Sequence, residues 1–194
     1  MAPMSRFGGI DLGGTKIHAA VVDERHKVVG SARRPTPTSG GPADVASEMA
    51  TAMREAAEDA KVEVSELGGI GVGSPGTVEG GDVTRARNLP DWEGTFPLAR
   101  TLETELDPEV KLGNDVQVAT AAEFHIGAGR PFASLLGVFW GTGVGGGVIL
   151  DGDPWRGRGG AGEIGHMVVE IGGARCTCGW KGLSSASYQV SSEM

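Results

Sequence analysis

The spacing of apolar positions changes several times along the chain, and each change predicts an element. Residues 7–12 (FGGIDL) form a short apolar run that reads as a buried strand. After Gly13-Gly14, residues 16–23 (KIHAAVVD) and 27–34 (KVVGSARR) read as two more strands at hairpin spacing. The period then lengthens. Over 42–60, Val45, Met49, Met53 and Ala57 recur every four residues, which predicts an amphipathic helix. ELGGIGVGSPG (66–76) predicts a strand and a turn. PLARTLETEL (97–106) predicts a helix with Leu98, Leu102 and Leu106 on one face, and EVKLGND (109–115) a short strand. Residues 115–129 predict a third helix, entered at Asp115, a good N-cap residue, and left at glycine. SLLGVFW (134–140) reads as a strand, GTGVGGG (141–147) as a turn and GVILDG (147–152) as a strand again. Strands and helices in this alternation predict an α/β domain over residues 1–114, and the hairpin opens a second domain over 115–194. One internal echo stands out: strand, glycine turn, strand occurs at 7–23 and again at 134–151.

Composition narrows the function classes. The 194 residues suit one domain or one and a piece, and 39% hydrophobic with 22% charged residues is globular. A net charge of −8 argues against nucleic acid as a partner, because phosphate backbones need a basic surface. It does not exclude ATP, which backbone N–H groups and a metal ion can hold. Only Cys176 and Cys178 carry thiols, which predicts a reducing, cytoplasmic setting. No apolar run is long enough to span a bilayer or to serve as a leader at the start, so no membrane partner is expected.

The 34 glycines are clustered without a collagen period, most densely at 141–147 and 157–165. Asp11-Leu12-Gly13-Gly14-Thr15-Lys16 lies between two strands. It reads either as a tight hairpin tip or as a cradle whose N–H groups face an anion, with Asp11 placed to hold Mg²⁺. Gly141-Thr142-Gly143-Val144-Gly145-Gly146-Gly147 repeats that chemistry. It also satisfies G-x-G-x-x-G, but a dinucleotide fold requires a helix after the glycines, and Val148-Ile149-Leu150 predict a strand. An NAD-dependent oxidoreductase is therefore set aside, and two glycine hairpins facing one nucleotide fit better.

DLGGTK, NLPDW, LGNDVQVA, GTGVGGG, GAGEIGH and CTCG, in this order over about residues 8–182, resemble the sugar kinases and repressors of the ROK family. The resemblance implies the actin-like (ribonuclease-H-like) ATPase fold, with a complete N-terminal domain and part of a second. It implies an ATP-dependent kinase that phosphorylates a hexose, glucose first, at the 6-hydroxyl, with Mg²⁺ and a glycolytic role. Fructose, mannose, N-acetylmannosamine and N-acetylglucosamine kinases share the motifs. Both glycine loops would bind ATP phosphates, through Asp11, Gly13, Gly14, Thr15, Lys16, Gly141, Thr142, Gly143 and Gly145. Asp115 would be the general base. Asn88, Asn114, Glu163 and His166 would contact the sugar, with Trp92 as packing. A homo-oligomer is compatible with the family. A repressor would carry a helix-turn-helix ahead of the first loop, and only ten residues precede Asp11. A sugar-binding remnant without turnover is the remaining alternative.

The same resemblance implies a zinc site of the form C-x-C-G-x-x-G-C with a histidine. Here His166, Cys176 and Cys178 supply three ligands, and Leu183 stands where the third cysteine belongs. A closed site wants four ligands, so zinc is expected to be weakened or absent unless Glu193 completes it. Ser185, or Ser184, stands in place of a sugar-binding glutamate. From Leu183 on, LSSASYQVSSEM reads as a patternless tail, which predicts a shortened or frame-disrupted member of the family.

Overall fold

The computed structural model describes residues 5–141, 143–176 and 178–186. The chain divides into two compact units, Met1–Asp115 and Val116–Met194.

In the first unit β1 (Phe7–Leu12), β2 (Lys16–Val22) and β3 (Val28–Pro35) form an antiparallel meander. The helix α1 (Gly41–Asp59) follows, and β4 (Ile70–Ser74) then pairs parallel to β1. Three very short strands, β5 (Thr77–Glu79), β6 (Asp82–Thr84) and β7 (Thr95–Phe96), make a separate small sheet. After the helix α2 (Leu98–Leu106), β8 (Val110–Asn114) pairs parallel to β4. The main sheet has the order β3-β2-β1-β4-β8.

The stripe read from the sequence is the buried one. Val45, Met49, Met53 and Ala57 of α1 are buried, together with Ala46, Ala50, Ala52 and Ala56. Ile10, Leu12, Ile17, Ala19, Val21 and Val72 meet them from the sheet. Each large side chain so buried contributes about 1.5–3 kcal/mol. The alanines allow close approach: at Gly30 of β3 a Cβ would overlap backbone atoms of Ala56 and Ala60. Leu98, Leu102 and Leu106 of α2 are buried as their spacing predicts. Trp92 is also packing, buried and edge-on to Phe96 at 5.6 Å between ring centres, with its Nε1–H donating to Val83 O.

The β2–β3 turn is organised by one buried carboxylate. Asp23 Oδ1 accepts from the amides of Arg25 and Lys27, each at 2.9 Å. The Lys27 amide bond does most to hold this carboxyl below its ordinary value. Burial opposes it, and the Arg25 amide and the two nearby cations add to it. A depressed folded value gives stability that is fully present above the unfolded-state value of about 3.9 and is lost as pH falls through the folded value. Asp23→Ala is therefore expected to melt several degrees below the wild type at pH 7. The gap should narrow as pH falls from about 3.9 through the depressed folded value, as thermal melts across pH would show.

The second unit opens with the remainder of α3 (Asp115–His125), followed by β9 (Leu135–Trp140), β10 (Val144–Leu150) and β11 (Asp153–Pro154) in a three-stranded sheet. The structure corrects two expectations here. The turn predicted over 141–147 is confined to 141–143, and Gly145, Gly146 and Gly147 are inside β10, paired with Phe139, Val138 and Gly137. Packing requires these glycines. A Cβ on Gly145 would come within 2.9 Å of Val116 Cγ1, and one on Gly147 would overlap the Thr120 hydroxyl. Residues 183–186, the start of the tail, are likewise not patternless, and 187–194 lie outside the described residues. Leu183 and Ala186 are buried, Leu183 bridges to Val168, and the Ser184 hydroxyl donates to Ile164 O at 2.7 Å.

Candidate active site

Strands β1, β4 and β8 are parallel, so their carboxyl ends lie along one edge of the sheet. Asp11 is level with Gly73, and Gly73 with Gly113. In open α/β sheets this edge is where ligands bind. Beyond β1 comes the glycine turn, beyond β4 the turn Pro75-Gly76, and beyond β8 the residue that opens α3, Asp115. With neighbouring strands ~4.8 Å apart, Asp11 and the level residue of β8, Gly113, are about 10 Å apart along this edge, and Asp115 follows two residues later.

The first turn is tightly held. Gly13 N–H donates to Lys16 O at 3.0 Å. Thr36, buried just past β3, donates its amide to Thr15 O at 3.1 Å and its hydroxyl to Gly13 O at 2.7 Å. Thr15, Lys16 and Asp11 are exposed. Among the described residues the Gly14 and Thr15 amides donate to no protein acceptor. The turn also meets the loop that carries Asn88: a Cβ on Gly14 would stand 3.1 Å from Asn88 Nδ2 and 3.2 Å from Asn88 O. Asn88 itself is exposed.

Asn114 ends β8 opposite the fully buried Ser74, and its Nδ2 donates to Gly76 O at 3.3 Å. Asp115 is half-buried, and its Cα would lie 3.5 Å from a Cβ on Gly73. Asp11, the turn 13–16, Asn88, Asn114 and Asp115 thus all belong to the first unit. The sequence reading missed two contributors, Thr36 and the turn after Ser74. A threonine in TPT carries no signal of its own, because its partners are 21 and 23 residues away.

The second unit holds the other expected residues. Gly141 and Gly143 form the β9–β10 tip, Gly141 N–H donating to Gly143 O at 2.9 Å, while Gly145 lies in β10 and Thr142 is outside the described residues. Ser185, which the resemblance sets in place of a sugar-binding glutamate, instead anchors the tip: its hydroxyl accepts from Val144 N–H at 3.0 Å and donates to Val144 O at 3.2 Å. Glu163 and His166 are exposed, with Oε2 and Nε2 3.8 Å apart.

The residues present do not fit a zinc ion. Among the described residues, no three His, Cys, Asp or Glu side chains come together as a metal site. His166 faces Glu163, while Cys176 Sγ accepts from the Cys178 amide at 3.5 Å. Where a third thiolate would be needed, Leu183 is buried as hydrocarbon, and Glu193 is outside the described residues. Backbone pairing, Arg175 with Lys181 and Val168 with Leu183, holds this loop instead.

A Mg²⁺ ion is a different matter. It keeps most of its waters and is bound through substrate phosphates with one or two carboxylates. The exposed carboxylate of Asp11 beside the glycine turn suits that mode.

Comparison with known proteins agrees with these motifs. The family model described as "ROK family" matches residues 7–186 and so reaches beyond Gly182. A glucokinase of Thermotoga maritima is 35% identical over 187 residues, which is 95% of this chain and 57% of the relative. An N-acetyl-D-glucosamine kinase of Pectobacterium carotovorum is 33% identical over 188 residues, 91% of this chain and 60% of the relative. A solved ROK family glucokinase from Streptomyces griseus, in complex with glucose and AMPPNP, superposes with a TM-score of 0.80 at 33% identity, over 92% of this chain and 55% of that one. The chain spans little more than half the length of these relatives. Among the described residues no helix is long and apolar enough to cross a membrane.

Proposed function

Because the chain belongs to the ROK family, whose sugar kinases have the actin-like ATPase fold, we propose that it serves ATP-dependent phosphorylation of a hexose, glucose at its 6-hydroxyl in the first instance. The observation that carries this reading is the shared edge of β1, β4 and β8. A glycine turn whose Gly14 and Thr15 amides donate to no described acceptor, a carboxylate beside it and an Asn-Asp pair two strands away all stand at that edge. That set matches the needs of phosphoryl transfer, which asks for positioning and charge stabilisation more than for covalent chemistry.

In this mechanism the Gly14 and Thr15 amides receive phosphate oxygens of ATP, and Asp11 is the carboxylate placed to hold Mg²⁺. When bound, the ion would neutralise charge on the phosphates. Asn88 and Asn114 orient hydroxyls of the sugar. The Asp115 carboxylate takes the proton of the attacking hydroxyl as its oxygen bonds to the γ-phosphorus. The bond from that phosphorus to the bridging oxygen breaks, and ADP leaves with the electron pair. Glu163 and His166, an acceptor and a donor on one exposed turn, are further candidates for sugar hydroxyls. Gly141 and Gly143 are further candidates for phosphate oxygens. A second substrate, N-acetylglucosamine, is favoured by the kinase relative that acts on it.

The test is an ADP-release assay with ATP and Mg²⁺ over glucose, fructose, mannose, N-acetylmannosamine and N-acetylglucosamine, alongside titration of each sugar. ADP release that depends on one hexose is expected. Binding of a hexose without ADP release would replace the kinase with a sugar-binding protein, and neither binding nor release would remove the reading.

A further inference from the structure

We propose that Thr36 is a positioning residue that keeps the first glycine turn in its anion-binding form. The inference rests on the kinase reading for the identity of the anion, a nucleotide phosphate, and on geometry alone for the device.

A trans peptide is planar, and its C=O and N–H point in opposite directions. The peptide joining Gly13 to Gly14 therefore has two useful orientations. With the Gly13 carbonyl directed at Thr36, the Gly14 N–H is directed away from it, toward the exposed side of the turn. A flip of this one peptide would put a carbonyl oxygen where the N–H had been and turn an attractive site into a repulsive one. Gly-Gly is the dipeptide that resists such a flip least, since neither residue has a Cβ to oppose it.

Two bonds from Thr36 resist it instead. Its hydroxyl donates to Gly13 O at 2.7 Å, and its amide donates to Thr15 O at 3.1 Å. The Gly13 and Thr15 carbonyls, on either side of Gly14, are thus each tied to Thr36, and the first of them sets the direction of the Gly14 N–H. Thr36 is 4% exposed, so water cannot easily replace it as the donor. It directly follows Pro35, the last residue of β3, which pairs with Lys16 and so fixes the height of Thr36 against the turn. The hydroxyl has no other assigned role. It touches no substrate in the mechanism above, and it acts only through Gly13.

Two substitutions separate this role from packing. Thr36→Val keeps the shape, the β-branch and the backbone amide and removes only the hydroxyl donor. Thr36→Ser keeps the donor and removes a methyl group. Titration with a non-hydrolysable ATP analogue and Mg²⁺ should show about tenfold weaker binding for Thr36→Val, the loss of roughly one neutral hydrogen bond, and near-wild-type binding for Thr36→Ser. Hexose affinity should be unchanged in both. A role in packing alone would instead make both variants bind the analogue equally, and that outcome overturns the proposal, as does wild-type affinity in Thr36→Val.

A measurement on the wild type covers the case in which Thr36→Val does not fold. Amide hydrogen exchange should find the Thr36 N–H protected with or without the analogue, and the Gly14 N–H exchanging freely until the analogue is added. A Gly14 amide already protected in the free protein, or a Thr36 amide that exchanges freely, would overturn the proposal. Absence of analogue binding to the wild type would remove the kinase reading and this inference with it. Normal wild-type binding that Thr36→Val leaves untouched would remove this inference alone.

Discussion

Asp115→Asn should lower the rate of hexose-dependent ADP release by about 10²–10⁴-fold, the usual contribution of a positioned general base, while leaving hexose affinity within a few-fold of the wild type. The substitution is close to isosteric and still suits the start of α3, so the fold should survive it. What it removes is the capacity to accept a proton at neutral pH. In the transition state the sugar oxygen would then keep its proton while bonding to phosphorus, and the barrier rises. Because the hydroxyl is bound but not deprotonated in the ground state, the loss should fall on kcat far more than on KM. Asn114→Ala is the informative contrast. Asn114 donates to Gly76 O and so ties the turn after β4 to the end of β8. Its loss should disturb sugar affinity and rate together. An Asp115→Asn protein that turns over at the wild-type rate would remove the base assignment and leave the edge as a binding surface.

Much of the first unit was legible in the sequence because its physics is local. The four-residue spacing of Val45, Met49, Met53 and Ala57 states which face of α1 is buried, and the structure buries that face. Asn114-Asp115 could be placed at a strand-to-helix junction from the adjoining patterns, and β8 ends and α3 begins there. Less legible was anything fixed by a partner distant in sequence. Three strands of two or three residues, β5, β6 and β7, are too short to show a period. Thr36 acquires its role only when β3 brings it beside Gly13.

The glycines of the second hairpin show the limit most clearly. GTGVGGG reads as one loop because glycine-rich sequence commonly turns. Only the structure separates Gly141 and Gly143, which form the tip, from Gly145, Gly146 and Gly147, which pair within β10 at positions where Val116, Thr120 and the backbone of Gly162 leave no room for side chains. One composition thus serves two ends, backbone freedom at the tip and close packing in the strand. The cysteines make a related point. The C-x-C spacing invites a metal, but the loop that bears it is closed by backbone pairing and by burial of Leu183.

Gly165→Ala should be among the most destabilising single substitutions in the second unit, at ~3 kcal/mol or more, although it adds only one methyl group. Gly165 is buried in the short 3-10 turn Ile164–His166. A Cβ there would overlap the carbonyl oxygen of Val144 and crowd the Ser185 hydroxyl. Neither neighbour can easily give way. Val144 is the first residue of β10, paired with Trp140 to close the hairpin, and both its amide and its carbonyl are bonded to Ser185. Displacing the carbonyl would therefore strain the hairpin and break the Ser185 anchor together. The alternative, moving the 3-10 turn outward, would shift Glu163 and His166. Thermal melts should show the loss of stability, and amide exchange should rise first at residues 143–148. Gly160→Ala is the matched control, since nothing lies within 4 Å of a Cβ at that position, and a change within about 0.5 kcal/mol is expected. Equal stability of Gly165→Ala and Gly160→Ala would mean that the Gly165–Val144 contact does not set the hairpin. The second glycine of GEIGH would then have to be explained by something other than its fit beneath β10.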